Sequence, residues 1–316
     1  MNTVITGAAG FIGSTLAGHL LGQGARVTGI DCFTDYYPRP LKQANLEGLL
    51  GEPGFRFVES TIQDADLEAL LAGTTHVFHL AAQAGVRKSW GRDFQVYTAN
   101  NIEATQALLE ACVGRPIERL VYASSSSVYG DGTPLPMHET ALPAPLSPYG
   151  VTKLAAEHLC NLYHTNHGVP CVSLRYFTVY GPRQRPDMAF NRFIRAALTG
   201  EPIALYGDGE QTRDFTFVGD AVAATAAAGT RGVPGGVYNV GGGDRVSVNQ
   251  VLGVLEGIAG RRLDVRREGT QKGDMRDTYA DTARARRDLG FSPAVGIRDG
   301  LRAEYDWLAA ALGSMK

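Results

Sequence analysis

The chain has 316 residues with 30 Lys and Arg against 32 Asp and Glu, and its net charge of −2 excludes a general electrostatic attraction to nucleic acid or to an anionic membrane. Its 44% hydrophobic and 20% charged residues are typical of a globular protein, and its length suits one two-lobed domain or two domains that share an interface. No apolar run approaches the roughly 20 residues of a membrane-spanning helix, and a strand pattern begins directly after Met1, leaving no room for a signal peptide. We therefore expect a cytoplasmic protein with no membrane or nucleic-acid partner.

The cysteine and histidine patterns predict no metal site. The four cysteines form no CxxC pair and have no zinc-like spacing, and the seven histidines have no Cys or carboxylate partner at ligand spacing. We expect Cys32, Cys112, Cys160 and Cys171 to be free thiols in a reducing compartment.

Short apolar runs rich in β-branched residues alternate with helical patterns in the first half of the chain. Most runs are apolar on both faces, as in a parallel sheet that helices cover on each side. The order predicts an α/β fold with a Rossmann-type doubly wound parallel sheet. The predicted strands are residues 3–6, 26–31, 55–60, 76–81, 120–124 and 172–176, and a helix is predicted over 11–21.

The amino-acid composition and the pattern of predicted elements change after about residue 178. Gly, Pro and Arg become frequent there, and short strands and loops interleave with helices. We place a first domain at residues 1–178, with segments at about 215–240 returning to it, and a smaller C-terminal α/β lobe at 179–316.

The first predicted strand leads into a GxxGxxG turn formed by Gly7, Gly10 and Gly13. Gly7 permits a tight turn, Gly10 lets backbone N–H groups approach a pyrophosphate, and Gly13 allows close packing of helix against strand. The helix N-terminus adds partial positive charge for the phosphates. Asp31 ends the second strand, where a carboxylate accepts hydrogen bonds from the adenine ribose and repels a 2′-phosphate. Because Cys32 follows instead of Arg or Lys, the pattern predicts that the first domain binds NAD rather than NADP.

Tyr149 and Lys153 lie four residues apart on one face of a helix that Ser147 caps and Pro148 opens. The serines at 124–127 follow a central strand, at the sheet edge where ligands bind in parallel sheets. A nearby ammonium and a positive nicotinamide ring both favour the phenolate of a tyrosine, whose ordinary pKa is about 10. Such a tyrosine takes a proton from a sugar hydroxyl while a serine hydroxyl holds the substrate oxygen, and Lys153 also binds the nicotinamide ribose. The constellation predicts that NAD is used for redox chemistry.

Seven motifs spread over nearly the whole chain: GAAGFIG at 7–13, HLAAQAGVR at 79–87, SSSVYG at 125–130, SPYGVTK at 147–153, RYFTVYGP at 175–182, YGDGEQTRDF at 206–215 and GDMRDTYAD at 273–281. Together they resemble the extended short-chain dehydrogenase/reductase family of sugar-nucleotide enzymes. The resemblance implies a nucleoside-diphosphate sugar substrate and a tightly held NAD.

Two stretches, RPDMA at 185–189 and the loop at 33–42, resemble UDP-glucuronate 4-epimerases. Thr178 stands where UDP-galactose 4-epimerases usually carry Asn, and Ser127 stands where UDP-glucuronate decarboxylases and 4,6-dehydratases carry Glu. The resemblance implies an isomerase that converts UDP-glucuronate to UDP-galacturonate by inversion at C4, through a transient 4-keto sugar. A UDP-glucose/UDP-galactose 4-epimerase and a UDP-glucuronate decarboxylase remain alternatives. A non-catalytic NAD-binding module is a distant one, because Tyr149 and Lys153 are both present.

The resemblance also implies roles for individual residues. The expected catalytic residues are Tyr149, Lys153 and Ser125, although any of the three serines at 125–127 can supply the catalytic hydroxyl. The expected cofactor-binding residues are Gly7, Gly10, Phe11, Ile12, Gly13, Asp31, Ile62, Leu80, Ala81, Ala82, Asn101, Ser124, Tyr149, Lys153 and Tyr176. The expected substrate-binding residues are Arg87, Ser125, Ser126, Ser127, Tyr149, Thr178, Arg185, Ala189, Arg192, Gln211, Arg213 and Arg276.

Two expectations complete the interpretation. The adenine is contacted either by Thr61 and Ile62 or by Asp64. The family's common assembly implies a homodimer, with residues 101–112 and 147–164 as candidate faces.

Overall fold

The computed structural model describes residues 1–269 and 273–313. Its strands are β1 (Asn2–Thr6), β2 (Arg26–Asp31), β3 (Phe55–Glu59), β4 (His76–His79), β5 (Arg119–Ser125), β6 (Cys171–Tyr176), β7 (Val179–Tyr180), β8 (Ile203–Tyr206), β9 (Thr212–Asp214), β10 (Thr216–Phe217), β11 (Val237–Val240), β12 (Arg245–Ser247) and β13 (Val265–Glu268). Its helices are α1 (Phe11–Gly22), α2 (Arg39–Leu50), α3 (Leu67–Leu70), α4 (Phe94–Tyr97), α5 (Ala104–Cys112), α6 (Pro148–His167), α7 (Ala189–Thr199), α8 (Val218–Arg231), α9 (Val248–Ala259), α10 (Ala283–Leu289) and α11 (Ile297–Gly313). A π-helical segment, Thr98–Glu103, joins α4 to α5.

A seven-stranded sheet forms the centre of the molecule, in the order β11-β6-β5-β4-β1-β2-β3. Every neighbouring pair in it is parallel. All residues of β4 and β6 are buried, as the two-sided apolar pattern predicts for strands covered on both faces. The predicted doubly wound parallel sheet is therefore confirmed.

Helices cover both faces of this sheet, and alternate residues of each strand point to opposite layers. Ile5 packs with Leu16 of α1 and Val222 of α8 in one buried cluster. Its neighbour Val4 packs with Leu108 of α5 and with residues of α6 in a second cluster on the other face. The period of two along β1 thus divides the core into two layers.

The fourth strand is shorter than the predicted run at 76–81, because β4 ends at His79. Its neighbour β1 ends at Thr6, where Gly7 turns the chain away with a φ of +72°. The backbone N–H of Ala81 then donates to the side-chain Oγ1 of Thr6, at 3.1 Å, instead of to a backbone carbonyl of a neighbouring strand. Residues 80–88 leave the sheet in this way and line the carboxyl edge.

After β6 the chain builds a second cluster from α7, α9 and α11, with Ile194, Leu255 and Leu301 at its centre. The short pairs β8–β13 (parallel) and β9–β12 (antiparallel) lie in the same part of the chain. The chain then returns to the first sheet. Helix α8 packs on α1, and β11 pairs with β6 as the edge strand.

Three further observations concern the described residues, 1–269 and 273–313. They contain no helix that is long and apolar enough to span a membrane. They contain no group of three or more His, Cys, Asp or Glu side chains that could hold a metal ion. The four cysteines are free thiols, and three of them are buried.

Candidate functional site

A cavity of about 690 Å³ runs along the carboxyl edge of the seven-stranded sheet and continues between the sheet and the second lobe. Ligands bind at this edge in open parallel sheets. The expected cofactor residues that line it are Gly7, Gly10, Phe11, Ile12, Gly13, Asp31, Ile62, Leu80, Ala81, Ala82, Ser124, Tyr149, Lys153 and Tyr176. The expected substrate residues that line it are Arg87, Ser125, Ser126, Ser127, Thr178, Arg185, Ala189, Arg192, Gln211 and Arg213.

The glycine turn has the geometry that a dinucleotide pyrophosphate requires. A Cβ on Gly7 would lie 2.8 Å from the backbone nitrogen of Ala81, and a Cβ on Gly13 would overlap the carbonyl oxygen of Gly7. Helix α1 begins at Phe11 without a side-chain cap, so its first amide groups face the cavity without a capping oxygen. These residues fit the diphosphate of NAD, since the glycine turn and the uncapped start of α1 line the cavity together.

Asp31 ends β2 beside this turn and faces the cavity. Its carboxylate accepts hydrogen bonds from the backbone N–H of Ala9 at 3.1 Å and of Phe33 at 2.8 Å. Burial raises the pKa of Asp31, and the N–H of Phe33 opposes that rise. The carboxylate thus ties the glycine turn to the end of β2 and remains at the cavity wall, as a ribose-binding acid must.

The alternatives for the adenine contact differ in their position relative to the cavity. Thr61 and Ile62 line it, whereas Asp64 is not among its lining residues. Asp64 instead accepts a hydrogen bond from Thr61 Oγ1 at 2.7 Å in a local turn. The structure therefore favours Thr61 and Ile62 over Asp64 as the wall at this end.

Helix α6 carries the tyrosine and lysine, and its start is fixed as the sequence predicts. Ser147 Oγ accepts from the backbone N–H of Gly150 at 3.1 Å, and Pro148 occupies the first turn. Tyr149 and Lys153 consequently project from one face of the helix toward the end of β5. The catalytic constellation thus rests on a well-capped helix of 20 residues.

Tyr149 is partly buried in the cavity wall beside Ser125 and Arg185. Burial raises the pKa of the phenol, while the Arg185 guanidinium and a hydrogen bond with the Ser125 side chain act to lower it. Ser125 Oγ also accepts from the backbone N–H of Ser127 at 3.1 Å. Of the three candidate serines, Ser125 is therefore the one in contact with the tyrosine.

Lys153 differs from its expected role in one respect. Its Nζ donates to the backbone carbonyl of Ala123 at 2.8 Å, and burial lowers the pKa of the amine to about 7. The groups that lower the pKa of Tyr149 are Arg185 and Ser125, not Lys153. Arg185 is therefore the cation that favours the phenolate, and Lys153 is bonded to β5 through the Ala123 carbonyl.

Guanidinium groups line the second half of the cavity, and two of them are paired with acidic groups of the chain. Arg87 Nη2 lies 2.6 Å from Asp274 Oδ2, and Arg185 forms a two-bond pair with Asp187. Arg213 donates to the carbonyls of Thr212 and Arg276 at 2.9 and 2.8 Å. Together with Arg192, four guanidinium groups thus line the cavity where a sugar diphosphate is expected.

Two expected site residues do not line the cavity. The Asn101 side chain is buried behind it, where its amide donates to the Gln83 carbonyl at 3.1 Å and to Thr152 Oγ1 at 2.9 Å, and its oxygen accepts from Gln83 N–H. Arg276 is 67% exposed and its nearest acidic partners are Asp208 and Asp277. Asn101 supports the loop after β4, and Arg276 lies outside the wall.

Several lining residues were not expected from the sequence. They include Tyr36, Lys42, Tyr206, Asp187 and Asp274. Tyr36 OH donates to Asp187 Oδ2 at 3.2 Å, which joins the loop after β2 to the RPDMA stretch. The resemblance of residues 33–42 and 185–189 to one subfamily was the signal, because both stretches meet here.

Comparison with known proteins places the chain among sugar-nucleotide enzymes. A curated relative from Bacillus subtilis (strain 168), described as the uncharacterized UDP-glucose epimerase YtcB, is 46% identical over 312 residues, 98% of each chain. UDP-glucuronate 4-epimerase of Thermodesulfobacterium geofontis is 37% identical over 309 residues, 96% of this chain and 95% of its own.

The crystal structure of UDP-glucuronic acid 4-epimerase from Bacillus cereus, with UDP-glucuronic acid and NAD, matches with a TM-score of 0.96 at 46% identity. The match covers 98% of this chain and 100% of the other. A family model, described as the NAD dependent epimerase/dehydratase family, matches residues 3–241. The chain belongs to the NAD dependent epimerase/dehydratase family.

Proposed function

We propose that the chain is a UDP-glucuronate 4-epimerase, which interconverts UDP-glucuronate and UDP-galacturonate through a transient 4-keto sugar. The observation that carries the proposal is the meeting of Tyr149, Ser125 and a row of hydroxyls in one cavity. Those hydroxyls belong to Ser126, Ser127 and Thr178, and a hydroxyl can donate a hydrogen bond to a carboxylate. The Bacillus cereus relative, crystallised with UDP-glucuronic acid and NAD, supports the same substrate.

The proton chemistry belongs to Tyr149. Its phenolate oxygen removes the proton from the C4 hydroxyl, and it later returns that proton to the C4 oxygen once the hydride has been added to the other face of C4. Ser125, in contact with Tyr149, holds the C4 oxygen in line. NAD, bound at Gly7, Gly10, Gly13 and Asp31, supplies the hydride acceptor and donor at C4.

Rotation of the 4-keto sugar within the cavity exposes its other face. That intermediate is a β-keto acid, which loses CO₂ when its C5–C6 bond aligns with the carbonyl π system. Ser126, Ser127 and Thr178 hold the carboxylate out of this alignment, while Ser125 holds the C4 oxygen. Hydrogen bonds to a charged group contribute about 1.5–3 kcal/mol each, so several together are sufficient to bias the conformation.

The diphosphate is bound by the guanidinium groups of Arg87 and Arg213, with Arg192 and Gln211 nearby in the wall and Ala189 at the start of α7. Arg185 closes over the sugar near Tyr149. Arg276 Nη2 lies 3.8 Å from Asp208 Oδ2. Arg276 can bind the diphosphate only after its side chain moves away from Asp208. Residues 1–178, with the returning segments at about 215–240, form the NAD-binding domain, and 179–316 form the sugar-nucleotide lobe.

The test is to incubate the purified enzyme with UDP-glucuronate and follow the products by NMR. We expect UDP-galacturonate to accumulate to equilibrium without added NAD. UDP-pentose and CO₂ as main products would support the decarboxylase instead. Turnover of UDP-glucose but not UDP-glucuronate would support the hexose epimerase, which the description of the Bacillus subtilis relative favours.

A homodimer in the cytoplasm completes the proposal. Helix α6 exposes Val151 and Leu162, with 47% and 51% of their surface accessible, and Val96 of α4 is 47% exposed. Exposed apolar side chains on adjacent helices are typical of a subunit interface. The four free thiols suit a reducing compartment. Light scattering tests the dimer, and Leu162→Glu should yield monomers.

A further inference from the structure

Helix α6 contacts the end of β5 through three polar side chains spaced four residues apart. Tyr149 bonds the Ser125 side chain, Lys153 Nζ donates to the Ala123 carbonyl at 2.8 Å, and Glu157 Oε2 accepts from Ser124 Oγ at 2.7 Å. Residues at this spacing share one helix face. Three successive residues of β5 are therefore held by one stripe of α6, and Glu157 is its third member.

Glu157 is a buried carboxylate held by a buried arginine. Arg175 donates to Oε1 at 2.6 Å through Nη2 and to Oε2 at 3.1 Å through Nε. The side chains of Arg175 and Glu157 are only 4% and 7% exposed. Arg175 is also the register partner of Ser124 across the β5–β6 pair. The ion pair therefore fixes Ser124 both from the helix and from the neighbouring strand.

Further contacts fix Arg175 itself. Its Nη1 donates to the Glu139 carbonyl at 3.3 Å, and its guanidinium lies 4.7 Å from the centre of the Tyr129 ring. Tyr129 OH in turn donates to Asn239 Oδ1 of β11 at 2.6 Å. The Glu157–Arg175 ion pair is thus part of a network that extends to the edge strand β11. These contacts leave the two side chains little freedom to move.

Neither Glu157 nor Arg175 lines the cavity. A buried ion pair is also a poor device for stability alone, because well-packed apolar residues of similar size are often equally stable or better. What this pair provides is a fixed position for the Ser124 hydroxyl, one residue from Ser125. A displacement of about 1 Å in a catalytic group can lower a rate about 10²-fold.

We propose that Glu157, held by Arg175, is a positioning residue that fixes Ser124 and so keeps the Ser125 hydroxyl in contact with Tyr149. The inference rests on the proposed function, since it assigns Tyr149 and Ser125 to the reaction. The inference concerns how Ser125 and Tyr149 are positioned, and it does not depend on which sugar is bound.

The experiment compares two variants that break the link in different ways. Ser124→Ala removes the hydroxyl and keeps the ion pair. Glu157→Leu with Arg175→Met removes both charges together, which avoids leaving one of them buried alone. Leu308→Ala, in the buried cluster of the second lobe, is the control for lost stability. The assay uses UDP-glucuronate as substrate and measures KM and the kcat per bound NAD. The assay temperature lies below the lowest Tm of the proteins compared.

We expect both link-breaking variants to lose kcat by about 10²-fold with KM within twofold of the wild type. Leu308→Ala should keep the wild-type kcat. The acid limb of the kcat–pH profile should move to higher pH in the two variants, because Tyr149 loses its well-placed partner. If Ser124→Ala keeps kcat within twofold, or if kcat falls in Leu308→Ala by the same factor, the proposal is overturned.

A second measurement separates this inference from the proposed function. Tyrosinate absorbance is titrated in each protein and in its Tyr149→Phe counterpart, and the difference reports Tyr149 alone. Wild-type enzyme that fails to turn over UDP-glucuronate rejects the proposed function only. In that case the positioning role is supported if the pKa of Tyr149 is higher in Ser124→Ala than in the wild type. It is rejected if Tyr149 has the same pKa in both proteins.

Discussion

The two halves of the cavity bind their expected ligands by different means. The cofactor half is lined by the glycine turn that follows β1, by the uncapped start of α1 and by the segment that follows β4. The sugar-nucleotide half is lined by long cationic side chains, of which Arg87 is paired with Asp274 and Arg185 with Asp187.

This difference agrees with the proposed function, in which NAD stays bound while the sugar nucleotide is exchanged in each turnover. A backbone cradle is rigid and needs no rearrangement, which suits an NAD that stays through many turnovers. Ion pairs between exposed side chains contribute little stability and exchange readily, because water screens them. Arg87, whose side chain is 42% exposed, can therefore give up Asp274 to a diphosphate on each cycle and take it back on release.

Tyr149→Phe addresses the junction of the two halves and should have the largest effect. Loss of the general base lowers kcat by about 10²–10⁴-fold, while NAD and UDP-glucuronate still bind. Turnover is measured by NMR, and both ligands by calorimetry. Tyr163→Phe, a matched change farther along α6, should retain activity. Substantial turnover by Tyr149→Phe would remove the tyrosine from the mechanism.

Gly13→Ala tests the backbone cradle. The added Cβ overlaps the Gly7 carbonyl, so the turn must open and NAD content should fall by at least about 10²-fold. The NAD released on denaturation is quantified. Gly22→Ala is the control, since its Cβ would meet no atom within 4 Å at the other end of α1. A variant Gly13→Ala that still copurifies with NAD would contradict the rigid cradle.

Arg213→Ala tests the cationic half in isolation. Loss of a charged donor to the diphosphate costs about 1.5–3 kcal/mol, equivalent to a roughly 10- to 100-fold weaker affinity for the UDP-sugar. NAD content should not change. Arg262→Ala, at a side chain 93% exposed, serves as the matched control. Unchanged affinity for UDP-glucuronate in calorimetry would show that Arg213 is not a phosphate ligand.

Asp31→Asn tests the one acidic group of the cofactor half that faces the expected ribose. We expect about tenfold weaker NAD binding and a smaller preference over NADP, because the repulsion of a 2′-phosphate disappears. The two affinities are compared in apoenzyme. Asp64→Asn, outside the cavity wall, should leave both affinities as they are. An unchanged NAD/NADP ratio in Asp31→Asn would count against this assignment.

Glu304→Gln tests a buried acid that anchors the start of the RPDMA loop. Glu304 Oε2 accepts from Gly181 N–H at 2.7 Å, and burial raises the pKa of the carboxyl to about 8. The folded state then holds a proton that the unfolded state has lost, so stability falls as pH rises from about 4.5 to about 8. Thermal melts across this range should show that decline in the wild type and a flatter profile in Glu304→Gln.

The sequence was sufficient for the parts of the molecule whose causes are local. The strand and helix periodicity, the glycine turn and the Ser147 cap each depend on residues within a few positions of one another. The observed strands β1 to β6 accordingly begin and end within two residues of the predicted runs.

Side-chain partners could not be predicted in this way, because they lie far apart in the chain. Arg87 and Asp274 are separated by 187 residues, and Tyr36 and Asp187 by 151. The resemblance predicts Asn101 and Arg276 at the site, but Asn101 is hydrogen-bonded behind the cavity wall and Arg276 lies beside acidic groups outside it. The effect of Lys153 on Tyr149 likewise depends on where Nζ points, which spacing on a helix does not determine.

The return of the chain to the first sheet has a consequence for biosynthesis. Strand β11 closes the edge beside β6, and α8 covers α1, yet both are made only after α7 and β8 to β10. A nascent chain released only to residue 178 would leave β6 as an open edge and one face of α1 bare, a state prone to aggregation. We expect the cofactor-binding fold to be acquired late in translation, with both lobes maturing together.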